Sequence, residues 1–168
     1  MTPSTNAAAA DRVPLQPLSA VPSEHAVSLP TGAELLAAIR GDSRGGHPLS
    51  TPANKLGTLH RFALKLTNSA AIDAERLSLI TAIDGWATAH LTHLEPPITH
   101  RHESLGDLID TLAGSQIHAY HLLMNGDPAD PAVHAAWHRL AEHVEEYSTM
   151  ASGALTSPTL EKPGQRAT

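Results

Sequence analysis

Two sets of polar side chains in this 168-residue chain have types and spacings that can do chemistry. The first runs through Glu103-Ser-Leu-Gly-Asp-Leu-Ile-Asp-Thr-Leu-Ala-Gly-Ser-Gln-Ile-His-Ala-Tyr-His-Leu-Leu123. At about 100° per residue, Asp110 and His121 fall within about 20° of each other, with Asp107 and Gly114 within ~60°. His118 joins the far side of that face, whereas Leu105, Ile109, Leu112 and Tyr120 point the other way. Gly106 and Gly114 would let another backbone or a ligand approach closely. The face suits a pocket, or else a solvated surface with two tolerated glycines. Asp110 and His121 are about 16 Å apart along the axis, so one small ligand cannot touch both without help from other helices.

The second set is His134 and His138, four residues apart, the spacing at which two imidazoles on a helix reach one metal. Glu142 continues the row, and a third ligand is available from His60, His90, His118 or His121. His134, His138 and His60 are the candidate metal set. They would make the chain a metal-dependent hydrolase with a histidine site in a helical bundle. Against this, Val133, Ala136, Trp137 and Leu140 put the pair on the opposite, wet face of its helix. His90, His93, His100 and His102 flank Pro96-Pro97 and read as a solvated loop. Glu103, Asp107 and Asp110 faintly resemble the magnesium-holding clusters of helical nucleotide pyrophosphohydrolases. Such sites draw carboxylates from two helices, and here Asp73, Glu75 and Asp84 are unsuitably spaced. No Gly-rich phosphate cradle, Gly-x-Ser-x-Gly turn or His-Glu-x-x-His is present. Cofactors are therefore not predicted, a divalent metal aside.

Helices must position these residues. Thr31 and Glu34 have capping-box spacing, opening a short helix from Glu34 to Arg40 that Gly41 ends. Gly45, Gly46 and Pro48 form a loop. A helix from Asn54 to Leu66 carries Leu56, Leu59, Ala63 and Leu66 on one face. A longer one from about Ala70 to Leu94 carries Ile72, Leu79, Ile80, Ile83, Ala87 and Leu94, and Pro96-Pro97 terminates it. The motif helix starts at a Ser104 cap and stops at Asn125-Gly126. Asp130-Pro131 caps the last helix, which carries Val133, Ala136, Trp137, Leu140, Val144 and Tyr147. No alternating strand appears. The expected fold is all-α: an up-and-down bundle of four main helices plus a short N-terminal helix. Residues 1–29 read as a disordered leader, 30–155 as the domain and 156–168 as a disordered tail.

Composition excludes several roles. There is no apolar membrane span of about 18 residues and no secretory signal, so a cytoplasmic location is the default expectation. The absence of cysteine rules out disulfides, thiolate metal sites and a cysteine nucleophile. Eleven Lys and Arg against 17 Asp and Glu are scattered without a basic stripe. The aromatics Phe62, Trp86, Tyr120, Trp137 and Tyr147 fall at positions that read as buried, so nucleic-acid binding is not expected. Twelve histidines would carry the formal charge of −6 to about +6 if all were protonated, so net charge changes sign in mild acid.

Glu103-Ser-Leu-Gly106, Ile109-Asp110, Leu112 and Ile117 with Tyr120-His121 resemble the signature of an all-helical bacterial family of unknown function. In that family Glu-Ser/Thr-Pro-Gly starts a helix, Ile-Asp-Arg-Leu follows and a Tyr-His pair sits near its end. Glu75-Arg76 and Ile83-Asp84 look like its upstream charged helix, and the similarity spans roughly residues 31–150. Leu105 replaces the family's proline, and Thr111 stands where it has an arginine. The resemblance marks Glu103, Gly106, Asp110, Tyr120 and His121 as binding positions and implies no reaction. The expectation is a bacterial, non-enzymatic interaction or accessory module that works through a protein partner or as a homo-oligomer.

Overall fold

A computed structural model describes residues 28–43, 46–66, 69–91 and 102–155. The leader through residue 27 and the tail from 156, as well as His93, Pro96, Pro97 and His100, lie outside the described residues. Five helices form a packed all-α bundle: α1 (Gly32–Arg40), α2 (Ser50–Ala63), α3 (Ala70–His90), α4 (Leu105–Asn125) and α5 (Pro131–Leu155). None of them is long and apolar enough to cross a membrane.

The start signals act as side-chain chemistry requires. The Glu34 amide donates to Thr31 Oγ1 at 3.3 Å, and the Thr31 amide donates to Glu34 Oε2 at 2.8 Å. Ser104 accepts from the Asp107 amide at 3.1 Å, and Asp130 accepts from the Ala132 amide at 2.8 Å. Four boundaries differ from expectation, among them the start of α1, at Gly32 rather than Glu34, and the end of α2, at Ala63 rather than Leu66. α2 begins four residues early, at Ser50, because Pro52 sits in a first turn whose amides need no intrahelical partner. α3 ends at His90 rather than Leu94, before the double proline is reached.

α4 is the axis of the fold. It packs against α1, α2, α3 and α5, and its first four turns bury Leu105, Leu108, Ile109, Leu112, Ala113 and Ile117. α5 runs antiparallel beside it, setting Ala136 and Leu140 against Ala119 and His143 against Ser115. α3 also runs antiparallel to α4, with Arg76 beside Asp110 and Ile80 beside Gly106. The core reaches just ahead of α1, where Leu29 is buried.

Aromatic placement departs from the sequence reading. Tyr147 is fully buried and Trp86 half-buried, but Phe62, Tyr120 and Trp137 are 52%, 53% and 40% exposed. Phe62 lies in the last turn of α2, and Tyr120 and Trp137 lie toward the end of the pair where α4 finishes and α5 begins. Helical phase suits burial at Tyr120 and Trp137, whereas Phe62 stands about 180° from Ala53, on the side of α2 away from its buried residues.

Buried Tyr147 donates its hydroxyl to the Pro30 carbonyl at 2.7 Å, and burial pushes its phenol above the ordinary tyrosine range. Tyr147→Phe leaves that carbonyl buried without its partner and is expected to lower stability by about 1–3 kcal/mol. Urea denaturation followed by circular dichroism checks it; an unchanged midpoint would mean the bond is not made.

Candidate functional site

The stripe divides along its length: His118 and His121 are exposed, whereas its Asp110 end is buried between helices. Asp110 is 4% exposed and sits where α2, α3 and α4 meet. His60 of α2 puts Nε2 2.8 Å from Asp110 Oδ1, and Arg76 of α3 donates from Nε to the same oxygen at 3.1 Å. Arg76 Nη2 donates to Oδ2, so the carboxylate is gripped from two helices. Arg76 Nη1 reaches Asp73 at 3.2 Å. Burial alone pushes the Asp110 carboxyl up, but the bonds from His60 and Arg76 outweigh it and hold the group below the ordinary aspartate value. Its bond to Asp110 in turn raises the Arg76 guanidinium.

The two glycines make this junction sterically possible. A Cβ on Gly114 would stand 2.9 Å from His60 Cε1, so the imidazole lies where any other side chain would be. A Cβ on Gly106 would stand 2.5 Å from the Ile80 carbonyl oxygen. The Gly106 amide donates to Asp84 Oδ1 at 2.7 Å, a first-turn donor satisfied from a neighbouring helix.

Neither the sequence nor the fold matches a family model, a curated protein or a solved structure. Geometry alone must therefore carry the functional reading.

Of the five binding positions expected from sequence, the structure brings together two, Gly106 and Asp110, in the α3–α4 seam. Glu103 is exposed ahead of α4. Tyr120 and His121 lie near the other end of the helix, both exposed, with Asn125 Nδ2 2.8 Å from the His121 carbonyl and 3.1 Å from its Nδ1. The candidate metal set is not assembled. His60 is committed to Asp110, His134 Nε2 lies 3.2 Å from the Pro128 carbonyl, and His138 is exposed beside Glu142 at 3.5 Å. Among the described residues, no three histidine or carboxylate side chains stand where they could hold a metal ion. The four-residue spacing gave His134 and His138 a common face, but that face points away from the bundle.

Sequence reasoning passed over two sets of partners. Arg76 entered only through the family resemblance, and Asp84 through it and as a carboxylate unsuitably spaced for a metal, although both belong to the Asp110–Gly106 junction. On the α5 side of α4, Ser115 Oγ lies 2.8 Å from Nδ1 of buried His143, and His102 lies between Asp107 and Glu146. Phase could have found His143, which shares the face of Ala136, Leu140 and Tyr147.

Asp110→Asn removes the charge that the Arg76 guanidinium and the His60 ring face, and a loss of about 2–4 kcal/mol is expected with Arg76 31% exposed. The pH dependence has a definite sign. A depressed folded carboxyl contributes its full stability above the unfolded value of about 3.9 and loses it as pH falls toward the lower folded one. Denaturation at pH 7 and at pH 3 should therefore give a smaller difference between wild type and variant at pH 3. An equal difference at both pH values would show that the Asp110 charge is not what the junction uses.

Proposed function

We propose that this chain is a helical-bundle interaction module, acting by binding rather than by chemistry, with a second copy of itself as occupant of its docking face. The observation that carries this reading is the uncovered end of the α4–α5 hairpin. At 100° per residue Tyr120 and Met124 continue the stripe of Ile109, Ala113 and Ile117, which is buried further back against the bundle. Past Ala119 none of the described helices buries that stripe, leaving Tyr120 53% and Met124 63% exposed. The antiparallel pairing brings Trp137 of α5 to the same end of the hairpin, 40% exposed. Two aromatics and a methionine on one end are the composition that interface centres favour.

Area supports a symmetric pair. Each of these half-exposed side chains offers on the order of 100 Å². Two hairpin ends meeting about a twofold axis would bury roughly 600–700 Å² from them alone, and with their rims would approach the ~1,000 Å² lower bound of a specific interface. The pairing would be weak. The likeness of Glu103–Gly106, Ile109-Asp110 and Tyr120-His121 to the uncharacterised bacterial family agrees with an all-helical module and adds no activity. The chain's acidic balance agrees with a protein partner rather than nucleic acid.

Sedimentation velocity of the full chain from about 10 μM to 1 mM tests the reading. The expectation is a concentration-dependent rise in sedimentation coefficient that Tyr120→Ser with Trp137→Ser abolishes, while helical content is kept. A strict monomer throughout, or a dimer untouched by the pair of substitutions, would overturn it.

A further inference from the structure

His134 and His138 do not assemble a metal site within one chain, yet each ring is arranged as a ligand would be. Both are exposed, one turn apart on α5. Nε2 of His134 lies 3.2 Å from the Pro128 carbonyl, which only accepts, so Nε2 carries the hydrogen of that bond. Nε2 of His138 faces the Glu142 carboxylate, which also only accepts, at 3.5 Å. A neutral imidazole with its hydrogen on Nε2 has its lone pair on Nδ1. One ring nitrogen turned to a carbonyl or carboxylate, the other keeping its lone pair, is the outer-shell arrangement of metal-ligating histidine.

Two imidazoles are half of a closed tetrahedral zinc site, which takes four ligands. A twofold axis supplies the other half. At 100° per residue His134 and His138 stand within about 60° and 100° of Trp137, which lies between them in height along α5. In an isologous pair, residues beside the axis meet their own copies. Two hairpin ends that meet at Trp137 therefore bring two histidine pairs together. We propose that zinc bridges two copies of this chain through His134 and His138 of each. This bridge rests on the self-association reading for one thing only, that two copies meet at this end. Magnesium and calcium take oxygen ligands, and four imidazoles in a tetrahedron suit zinc rather than square-planar copper(II) or nickel(II). The metal also supplies what area lacks, since the apolar contact only approaches the lower bound of a specific interface. The bonding is coordination alone: each Nδ1 lends its lone pair, and Pro128 and Glu142 hold the rings in orientation.

Sedimentation velocity of the full chain at about 50 μM compares EDTA, half an equivalent of Zn²⁺ and the same amount of Mg²⁺. Wild type is set beside His134→Ala with His138→Ala, both on the exposed face of α5, with circular dichroism to check that helical content is kept. Zinc is expected to raise the wild-type dimerisation constant by about tenfold or more, and magnesium to leave it at its EDTA value. The double variant should lose the zinc effect and keep its EDTA dimerisation. Equilibrium dialysis should show it binding one zinc fewer per two chains, which separates this site from zinc held by other histidines. A wild-type constant unmoved by zinc, or a zinc effect that survives the double variant, would overturn the proposal. A chain monomeric in EDTA yet paired by zinc through these histidines would support the bridge and overturn the apolar pairing instead.

Discussion

A carboxylate taken out of water is the constraint that the rest of this bundle accommodates. Asp110 is buried in the second turn of the central helix, and an unpaired charge there would cost several kcal/mol, more than most single apolar contacts return. Its partners come from two other helices, His60 from α2 and Arg76 from α3. Apolar surfaces tolerate some sliding. Two directional hydrogen-bonding partners converging on one carboxylate do not, so the rotation and height of α2 and α3 against α4 are set at this point. The glycines follow from it: Gly114 leaves room for the His60 ring, and Gly106 lets the Ile80 backbone come close enough for Asp84 to cap the helix start.

α4 therefore carries charge on two flanks and oil between them. Toward α2 and α3 lies the Asp110 junction; toward α5 lies the His102, His143 and Glu146 cluster. Between them Leu108, Ile109, Leu112 and Ala113 are fully buried. The same helix outlasts its neighbours, so a stripe that begins as core ends as surface at Tyr120 and Met124. Whether a residue is interior or interface is decided here by the lengths of the helices around it rather than by its own phase.

This explains what could and could not be read in the chain. Caps were legible because they are local: Thr31 with Glu34, Ser104 with Asp107 and Asp130 with Ala132 each involve residues at most three apart. Helix number and type were legible from apolar spacing. Asp110 was identifiable as special from its stripe and its glycine neighbours, but its environment was not, because its partners lie 50 and 34 residues away. The same limit applies to the histidines. A four-residue spacing records that His134 and His138 share a face, and says nothing about which way that face turns. Tyr120 and Trp137 have the phase of the buried face without its cover, and Phe62 has neither.

The hydrogen bond from Tyr147 to Pro30 joins residues 117 positions apart. It brings the entrance of the domain alongside its last helix, and Leu155 is only eight residues further on, about 12 Å along the axis. A unit with entry and exit so near each other has the geometry that permits insertion into the loop of a host protein, or rejoining of its ends and reopening elsewhere, without dismantling its interior.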